Sequence, residues 1–306
     1  MTDSLKVKMF GEFSVSYRGN DNILDRAMTS KTTQLMQIIA MYASEGITKS
    51  SLINLLYGRD EVENANGSLN NTLFRLRKRL KAAGLPDSSY ILIQNGICKW
   101  DPEIPLEVDC RIFEDLILQG RREQDKTTRM KLFMEALEQY TGEYLKDMIG
   151  EEWVAINNSY FHNMFQESME ELANWLMSES KYDTLLQMST NAARIYPFES
   201  WQVWQIDSLV AMGMYKDAID VYEKTTKRFF DEMQLPPSAE LLERINYIGR
   251  RITVNTQTIK DIRQTIEENV QKGAYFCTLP SFVDSYRVVE RLKDRVDLPV
   301  VFMLCT

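Results

Sequence analysis

The sequence predicts a mainly α-helical protein with a small α+β domain at its N-terminus and a short α/β fragment at its C-terminus. The chain has only Gly 13 and Pro 8 among 306 residues, and so few chain breakers favour long helices. Apolar residues alternate near residues 5–17 and 90–100, as in half-buried strands, and recur every three or four residues over most of the remainder, as in amphipathic helices.

Length and composition limit the class of protein. A chain of 306 residues is long enough for two domains or slightly more. With 44% hydrophobic and 26% charged residues, it is expected to be globular rather than disordered. No apolar run approaches the length of a membrane span, and the first residues lack a signal peptide. We therefore predict a cytoplasmic protein with no membrane contact.

Charge is unevenly distributed, although the whole chain carries −8. Residues 1–108 hold 13 Lys+Arg and 12 Asp+Glu, a net charge of +1, so the remainder carries −9. Residues 64–86 contain no Asp or Glu but five cations, Arg75, Arg77, Lys78, Arg79 and Lys81. A local basic patch is therefore expected on an acidic protein.

The N-terminal region is predicted to contain a strand pair, three helices and a hairpin. Residues 5–17 alternate apolar and polar side chains and end at Gly19-Asn20. Helix one is expected over about residues 31–44, ending before Gly46, and Thr48 is a candidate cap for a short second helix. Later, Asn95-Gly96 between two strand-like runs is a hairpin signal, because this pair accepts the positive φ values of a tight turn. This is the order of elements in a winged helix.

The third helix separates an apolar from a polar side. At 100° per residue, one side carries core residues and the other is basic. The core side has Leu69, Leu73, Leu76, Leu80 and Ala83, and the far side has Asn71, Phe74, Arg75, Lys78, Lys81 and Ala82. Arg and Asn are the side chains that pair with guanine and adenine edges. A basic amphipathic helix is more often a solvated surface, but its place in a winged-helix order favours DNA binding.

Residues 47–58 and 64–80 resemble the winged helix-turn-helix domain of SARP-type bacterial transcriptional regulators. The pattern that carries the resemblance is Leu69-x-x-x-Leu73-x-Arg75-Leu76-Arg77-Lys78. The family places helix three in the major groove and sets the wing and helix starts against phosphates. That implies DNA contacts by Asn70, Asn71, Arg75 and Lys78, and then by Gln94, Asn95, Lys31 and Ser50. The basic side of helix three adds Phe74, Arg77 and Lys81 as candidates. The wing departs from the family, with Gly96-Ile97-Cys98-Lys99-Trp100 where Gly-Tyr-Arg is usual.

Residues 109–250 show helical periodicity almost throughout, with breaks predicted at Gly120, Gly142, Gly150, Pro197, Gly213 and Pro236-Pro237. Two segments align at a spacing of 33 residues, Tyr182 with Tyr215 and Leu186 with Ile219. This spacing fits tetratricopeptide (TPR)-like helix pairs, and a plain helical bundle is the alternative. Several motifs resemble the bacterial transcriptional activation domain that follows the winged helix in SARP-type regulators: Tyr140-x-Gly142-Glu143-Tyr144-Leu145, Glu152-Trp153-Val154, Ile195-Tyr196-Pro197-Phe198-Glu199 and Leu235-Pro236-Pro237.

The C-terminal region is expected to differ again. A polar helix is predicted over residues 259–272, a break over 273–280, an amphipathic helix near 282–296 and a strand over 300–304. This segment resembles the opening of a GGDEF-like, nucleotide-cyclase-type domain without its motif residues. The predicted domains are a winged-helix DNA-binding domain at 1–108, a TPR-like activation domain at 109–250, a linker helix at 251–272, and at 273–306 a packed tail or the start of an α/β domain.

No catalytic constellation is found in the sequence. It has no Gly-rich phosphate loop, no Ser/His/Asp arrangement, and no Cys-x-x-Cys pair beside its single His162, so we predict neither an enzyme nor a cofactor or metal site. The leading hypothesis is a DNA-binding transcription regulator whose helical domain contacts RNA polymerase, an effector or a second copy on double-stranded DNA. The alternatives are a TPR-like scaffold without DNA binding and a signalling protein whose cyclase-like domain lies beyond Thr306.

Overall fold

The computed structural model describes residues 3–20, 23–24, 29–58, 63–251, 276–279 and 301–304. The chain divides into two compact units, Met1–Glu179 and Ser180–Thr306. The predicted fold class is confirmed: short strands and three helices come first, and helices then dominate.

The elements are numbered in chain order. The strands are β1 (Leu5–Lys8), β2 (Ser14–Ser16), β3 (Ile47–Thr48), β4 (Ile91–Gln94), β5 (Ile97–Trp100), β6 (Leu106–Val108), β7 (Phe276–Leu279) and β8 (Val301–Leu304). The helices are α1 (Lys31–Met41), α2 (Lys49–Tyr57), α3 (Ala65–Ala82), α4 (Asp109–Arg122), α5 (Lys126–Gln139), α6 (Glu152–Ser178), α7 (Tyr182–Ile195), α8 (Trp201–Ala211), α9 (Tyr215–Met233) and α10 (Ala239–Arg251). A short 3-10 helix spans Lys146–Met148.

The first unit begins with a three-stranded sheet of order β2-β1-β6. Strands β1 and β2 are antiparallel, with Val7 opposite Val15, as the alternation predicts. Strand β6 is parallel to β1, with Val7 opposite Val108. The sequence did not predict β6, because it has only three residues and includes an exposed Glu107.

The winged-helix elements follow the predicted order. Ser30 caps α1 by accepting a hydrogen bond from the Thr33 N–H at 3.2 Å, and Thr48 caps α2 in the same way from Ser51 at 3.1 Å. Strands β4 and β5 form the wing, and β3 pairs with β5 to complete a sheet of order β3-β5-β4. The turn residues Asn95 and Gly96 have φ values of 51° and 77°, as predicted for this hairpin.

The winged helix shares a core with α4–α6. The Phe10 ring lies between three aromatic rings, with centroids 5.5 Å from Phe113, 4.4 Å from Tyr140 and 5.3 Å from Phe161. All four rings are almost fully buried, and edge-to-face or tilted aromatic pairs at such distances stabilise beyond their buried area. The boundary predicted between residues 108 and 109 therefore crosses a continuous apolar core. That residues 1–108 form a domain of their own stays a prediction.

Backbone hydrogen bonds reinforce this contact. The N–H of Gly11 donates to the Glu143 carbonyl at 3.0 Å, and the N–H of Leu145 donates to the Met9 carbonyl at 2.9 Å. Phe10 and Tyr144 form an isolated antiparallel bridge between these bonds. The motif at residues 140–145 thus pairs with the end of β1. A Cβ on Gly142 would lie 2.8 Å from the Cα of Gly11, so this motif needs glycine for close approach.

The second unit contains helix pairs at the predicted spacing. Helices α7 and α9 begin at Tyr182 and Tyr215, the two residues that the sequence aligned. Two residues before each helix, Ser180 and Gly213 have positive φ values of 57° and 77°, so the repeat extends to the turn. A core from α8, α9 and α10 consists of Val203, Ile206, Leu209, Ala218, Tyr222 and Leu241.

Two predictions about breaks need correction. Gly120 does not end a helix: it is buried inside α4, where an added Cβ would lie 2.6 Å from Cε1 of Phe133 in α5. It is a point of close helix packing, and the chain turns instead at residues 123–125. The segment 273–280 was predicted to be a break, but it contains β7, which pairs in parallel with β8.

Other predictions for the C-terminal region fall outside the described residues. These are the linker helix over 251–272, apart from Arg251 at the end of α10, and the amphipathic helix near 282–296. Among the described residues, no helix is both long and apolar enough to cross a membrane.

Candidate nucleic-acid interface

Helix α3 forms the centre of the candidate site. Asn64 caps the helix by accepting a hydrogen bond from the Gly67 N–H at 2.8 Å. Four leucines on its inner side are nearly inaccessible to solvent: Leu69, Leu73, Leu76 and Leu80. The Tyr57 hydroxyl of α2 lies 2.8 Å from the Thr72 hydroxyl of α3. The leucines and this hydrogen bond fix the rotation of α3 and therefore which side chains reach solvent.

The outer side of α3 is exposed, polar and basic, as predicted. Each candidate on this helix is exposed: Asn70, Asn71, Phe74, Arg75, Arg77, Lys78 and Lys81. No carboxylate lies among residues 64–86, so the helix itself supplies no acidic neighbour to its cations. A surface of this kind attracts anions over a distance of about a Debye length.

The cations of α3 differ in their intramolecular contacts. Arg77 donates from Nε to the Ser89 carbonyl at 2.9 Å, and Lys81 Nζ lies 2.6 Å from the Asp87 carboxylate. Both side chains connect α3 to the loop before β4. No such partner is found for Arg75 or Lys78 within the ranges that the structure describes. These two cations are the ones most available to an external anion.

The start of α2 and the turn of the wing lie side by side. The Lys49 N–H donates to the Gly96 carbonyl at 2.7 Å, and Thr48 is opposite Ile97 in the β3–β5 ladder. The exposed Ser50, whose Oγ is 3.1 Å from Thr48 Oγ1, is thus placed near the wing turn. The predicted residues Ser50, Gln94 and Asn95 are therefore brought together at one edge of the domain.

Lys31 has a different environment from the other candidates. It is only partly exposed, and its ammonium group donates to the Leu56 carbonyl at the end of α2. The same nitrogen lies 5.4 Å from the centre of the Tyr57 ring. Lys31 thus interacts with the negative end of a helix and with an aromatic face. Its role toward DNA stays a prediction.

Lys99 was not among the predicted site residues, although the structure places it on the wing. It is exposed on β5, on the same face as the exposed Ile97, because burial alternates along that strand. The alternation of Ile97-Cys98-Lys99-Trp100 was the available signal, since Cys98 and Trp100 are the buried pair. A cation at this position adds to the charge of the wing.

The described part of the chain offers no group of three or more His, Cys, Asp or Glu side chains arranged to hold a metal ion. Cys98 and Cys110 are both buried. Burial raises the pKa of the Cys110 thiol well above its usual range and also raises the pKa of Cys98. Both thiols therefore stay protonated and are poor nucleophiles at neutral pH.

The helical part matches a known protein family. Residues 108–248 match the model of the bacterial transcriptional activator domain. These residues are therefore similar to that domain, and the matched stretch is the activator domain of this chain. The activator domain begins where β6 passes into α4 and extends into α10. The resemblance to SARP-type regulators, in which this domain follows a winged helix, is thereby confirmed.

One solved structure has the same fold over most of the chain. It is Mycobacterium tuberculosis EmbR in complex with a low-affinity phosphopeptide, with a TM-score of 0.54 and 14% sequence identity. The likeness covers 88% of this chain and 70% of the EmbR chain, so it extends beyond the activator domain to the N-terminal region. Among curated proteins, none matches this sequence.

Proposed function

We propose that the protein is a sequence-specific DNA-binding regulator that activates transcription, with α3 in the major groove. The observation that carries the proposal is the outer side of α3, where exposed amides and cations project from a helix held by four buried leucines. An α-helix about 10–12 Å wide fits a major groove about 12 Å wide. Asn70, Asn71 and Arg75 have the donor geometry that reads adenine and guanine edges.

The wing and the start of α2 are proposed to bind phosphates. Helix N-termini present a positive dipole end to an anion, and the α2 N-terminus carries the hydroxyl groups of Thr48, Ser50 and Ser51. The nearby wing turn adds the exposed amides of Gln94 and Asn95. Contacts of this kind fix the register of a protein on DNA but do not select sequence.

The activator domain is proposed to provide the partner contacts: RNA polymerase, an effector, and a second copy of the chain on DNA. Support comes from the family name and from exposed apolar side chains in the second unit, namely Phe198, Met214, Phe230, Met233 and Leu235. Exposed apolar side chains are candidates for interaction sites where they form a contiguous patch. We place this activity in the cytoplasm, and we propose no reaction for the chain.

Binding to duplex DNA tests the proposal directly. The full chain is incubated with a random duplex library, bound sequences are recovered, and affinities for the selected duplex and a shuffled duplex are measured over a range of salt concentrations. We expect a shared motif and a linear fall of log K with log salt, because neutralised phosphates release counterions. A folded chain that enriches no sequence and binds no duplex at low salt would refute the proposal and favour a scaffold without DNA binding.

A further inference from the structure

Phe74 is the most exposed large apolar side chain in the described residues, with 67% of its surface accessible to solvent. It lies at the middle of the outer side of α3, one turn after Asn70 and one turn before Lys78. Its ring makes no contact with another aromatic ring within the described ranges. An apolar ring at the centre of a polar, basic helix face suits a partner that is apolar locally and anionic around it.

The packing of α3 shows why the ring cannot turn inward. Leu73 and Leu76, which lie on the buried side of α3 close to Phe74 in the sequence, are 4% and 0% exposed. The inner side of the helix is therefore already filled. At 100° per residue, Phe74 is about 140° from the core line through Leu69. An overpacked core is costly, and the ring therefore stays on the surface that the proposed function directs at DNA.

We propose that Phe74 recognises a thymine in the operator by contact with its C5 methyl group in the major groove. This inference rests on the proposed function. The thymine methyl is the apolar group that the major-groove edge of a base pair presents, and phenylalanine is a side chain that contacts it. Lys78, one turn further along the helix, suits a flanking phosphate, and a partner without negative charge would leave this cation unpaired.

Helix geometry limits where this thymine lies. Asn70 and Phe74 are four residues apart, which is about 6 Å along the helix axis, and successive base pairs are about 3.4 Å apart. A base read by Asn70 and the thymine read by Phe74 are therefore within about two base pairs of each other. Since asparagine pairs best with adenine, the operator is expected to contain an adenine and a thymine at that separation.

Deoxyuridine substitution tests the inference, because it removes only the methyl group and leaves base pairing unchanged. In the selected duplex, each thymine is replaced in turn and the affinity of the full chain is measured. For the wild-type chain we expect a loss of about three- to tenfold at one position in each half-site, which is the scale of one desolvated methyl group. Phe74→Ala should bind the thymine and deoxyuridine duplexes equally at that position, and Phe74→Leu should keep part of the preference.

Arg75→Ala is the matched control on the same helix, and it should keep the preference for thymine over deoxyuridine while it loses affinity. Circular dichroism checks that Phe74→Ala is folded, as expected for an exposed position. If the wild-type chain binds its selected duplex but tolerates deoxyuridine everywhere, or if Phe74→Ala retains the preference, the inference is wrong and the proposed function stands. If the wild-type chain selects no duplex at all, both are wrong.

Discussion

The carboxylate of Asp109, the first residue of α4, accepts a hydrogen bond from the backbone N–H of Phe10 at 3.0 Å. Its other oxygen accepts from the N–H groups of Met9 at 2.8 Å and Cys110 at 2.7 Å. One side chain thus satisfies the backbone where β1 ends and where the activator domain begins. Buried backbone donors without partners are costly, so this carboxylate holds the two parts in register.

Asp109→Asn is expected to destabilise the protein by about 1–3 kcal/mol, because an amide presents one acceptor and one donor to three N–H groups. Urea unfolding followed by circular dichroism measures the change. Asp115→Asn, at an exposed position on the same helix, is the control and should change stability little. Equal stability of the two variants would contradict this role of Asp109.

The stability contribution of Asp109 should also depend on pH. Burial raises its pKa to about 6, although three N–H groups stabilise the charged form. A carboxyl with a raised pKa binds its proton more tightly in the folded than in the unfolded chain. Its contribution to stability therefore grows as pH falls from about 6 toward its ordinary value near 4. The difference in unfolding free energy between wild type and Asp109→Asn should widen over that range, and a constant difference would contradict the assignment.

The fragment 1–179 is expected to fold with full cooperativity, whereas the fragment 1–108 is expected to melt at a lower temperature or without a sharp transition. Truncation after residue 108 removes the three aromatic residues that contact the Phe10 ring, Phe113, Tyr140 and Phe161. Losing the partners of a buried aromatic side chain costs about 3–5 kcal/mol. Thermal melts of both fragments at equal concentration measure the effect. Matching transitions would show that the winged helix folds alone.

Sequence reasoning succeeded where the signal is local. The two sides of α3 follow from one leucine every three or four residues, and the turn at Asn95-Gly96 follows from the conformational freedom of two adjacent residues. Both depend on positions close in the chain, for which periodicity and propensity are informative. The start of α9 at Tyr215, 33 residues after Tyr182, was also predictable, because the period of a repeat can be read directly from the sequence.

Long-range contacts were not predictable in this way. Nothing near Phe10 in the sequence indicates that residues 140–145 pair with it, because that contact joins segments about 130 residues apart. Gly120 shows the same limit, because here a local signal led to a wrong prediction. A glycine within a helical pattern suggests an end, but here Phe133 of the neighbouring helix requires the missing side chain. The partial burial of Lys31 against the end of α2 likewise depends on packing and was visible only in the structure.

Lys78→Ala is expected to weaken binding to every duplex by a similar factor and to reduce the slope of log K against log salt by about one, as for a lost phosphate contact. Arg75→Ala should instead reduce the preference at one base pair by about 1–3 kcal/mol. Fluorescence anisotropy with selected and shuffled duplexes separates the two effects. Lys224→Ala, an exposed position on α9, makes the same charge change as Lys78→Ala and should leave the slope unaltered. Equal slopes for all three variants would count against α3 as the binding surface.

Gly46→Ala and Gly96→Ala form a matched pair for the wing. The two glycines have nearly the same φ, 78° and 77°, so alanine should cost each about 1–2 kcal/mol of backbone strain. Their surroundings differ, because a Cβ at Gly46 would lie 2.6 Å from Cγ2 of Ile97 and 3.2 Å from the Cys98 carbonyl oxygen, whereas a Cβ at Gly96 meets nothing within 4 Å. Gly46→Ala must therefore also shift the Ile97 side chain and the Cys98 carbonyl of β5, and it should be the more destabilising variant in urea unfolding. It should also weaken duplex binding more than Gly96→Ala does, since a shift in β5 moves the wing away from the start of α2. Equal losses of stability would show that backbone strain alone determines the effect and that the contact between Gly46 and Ile97 does not position the wing.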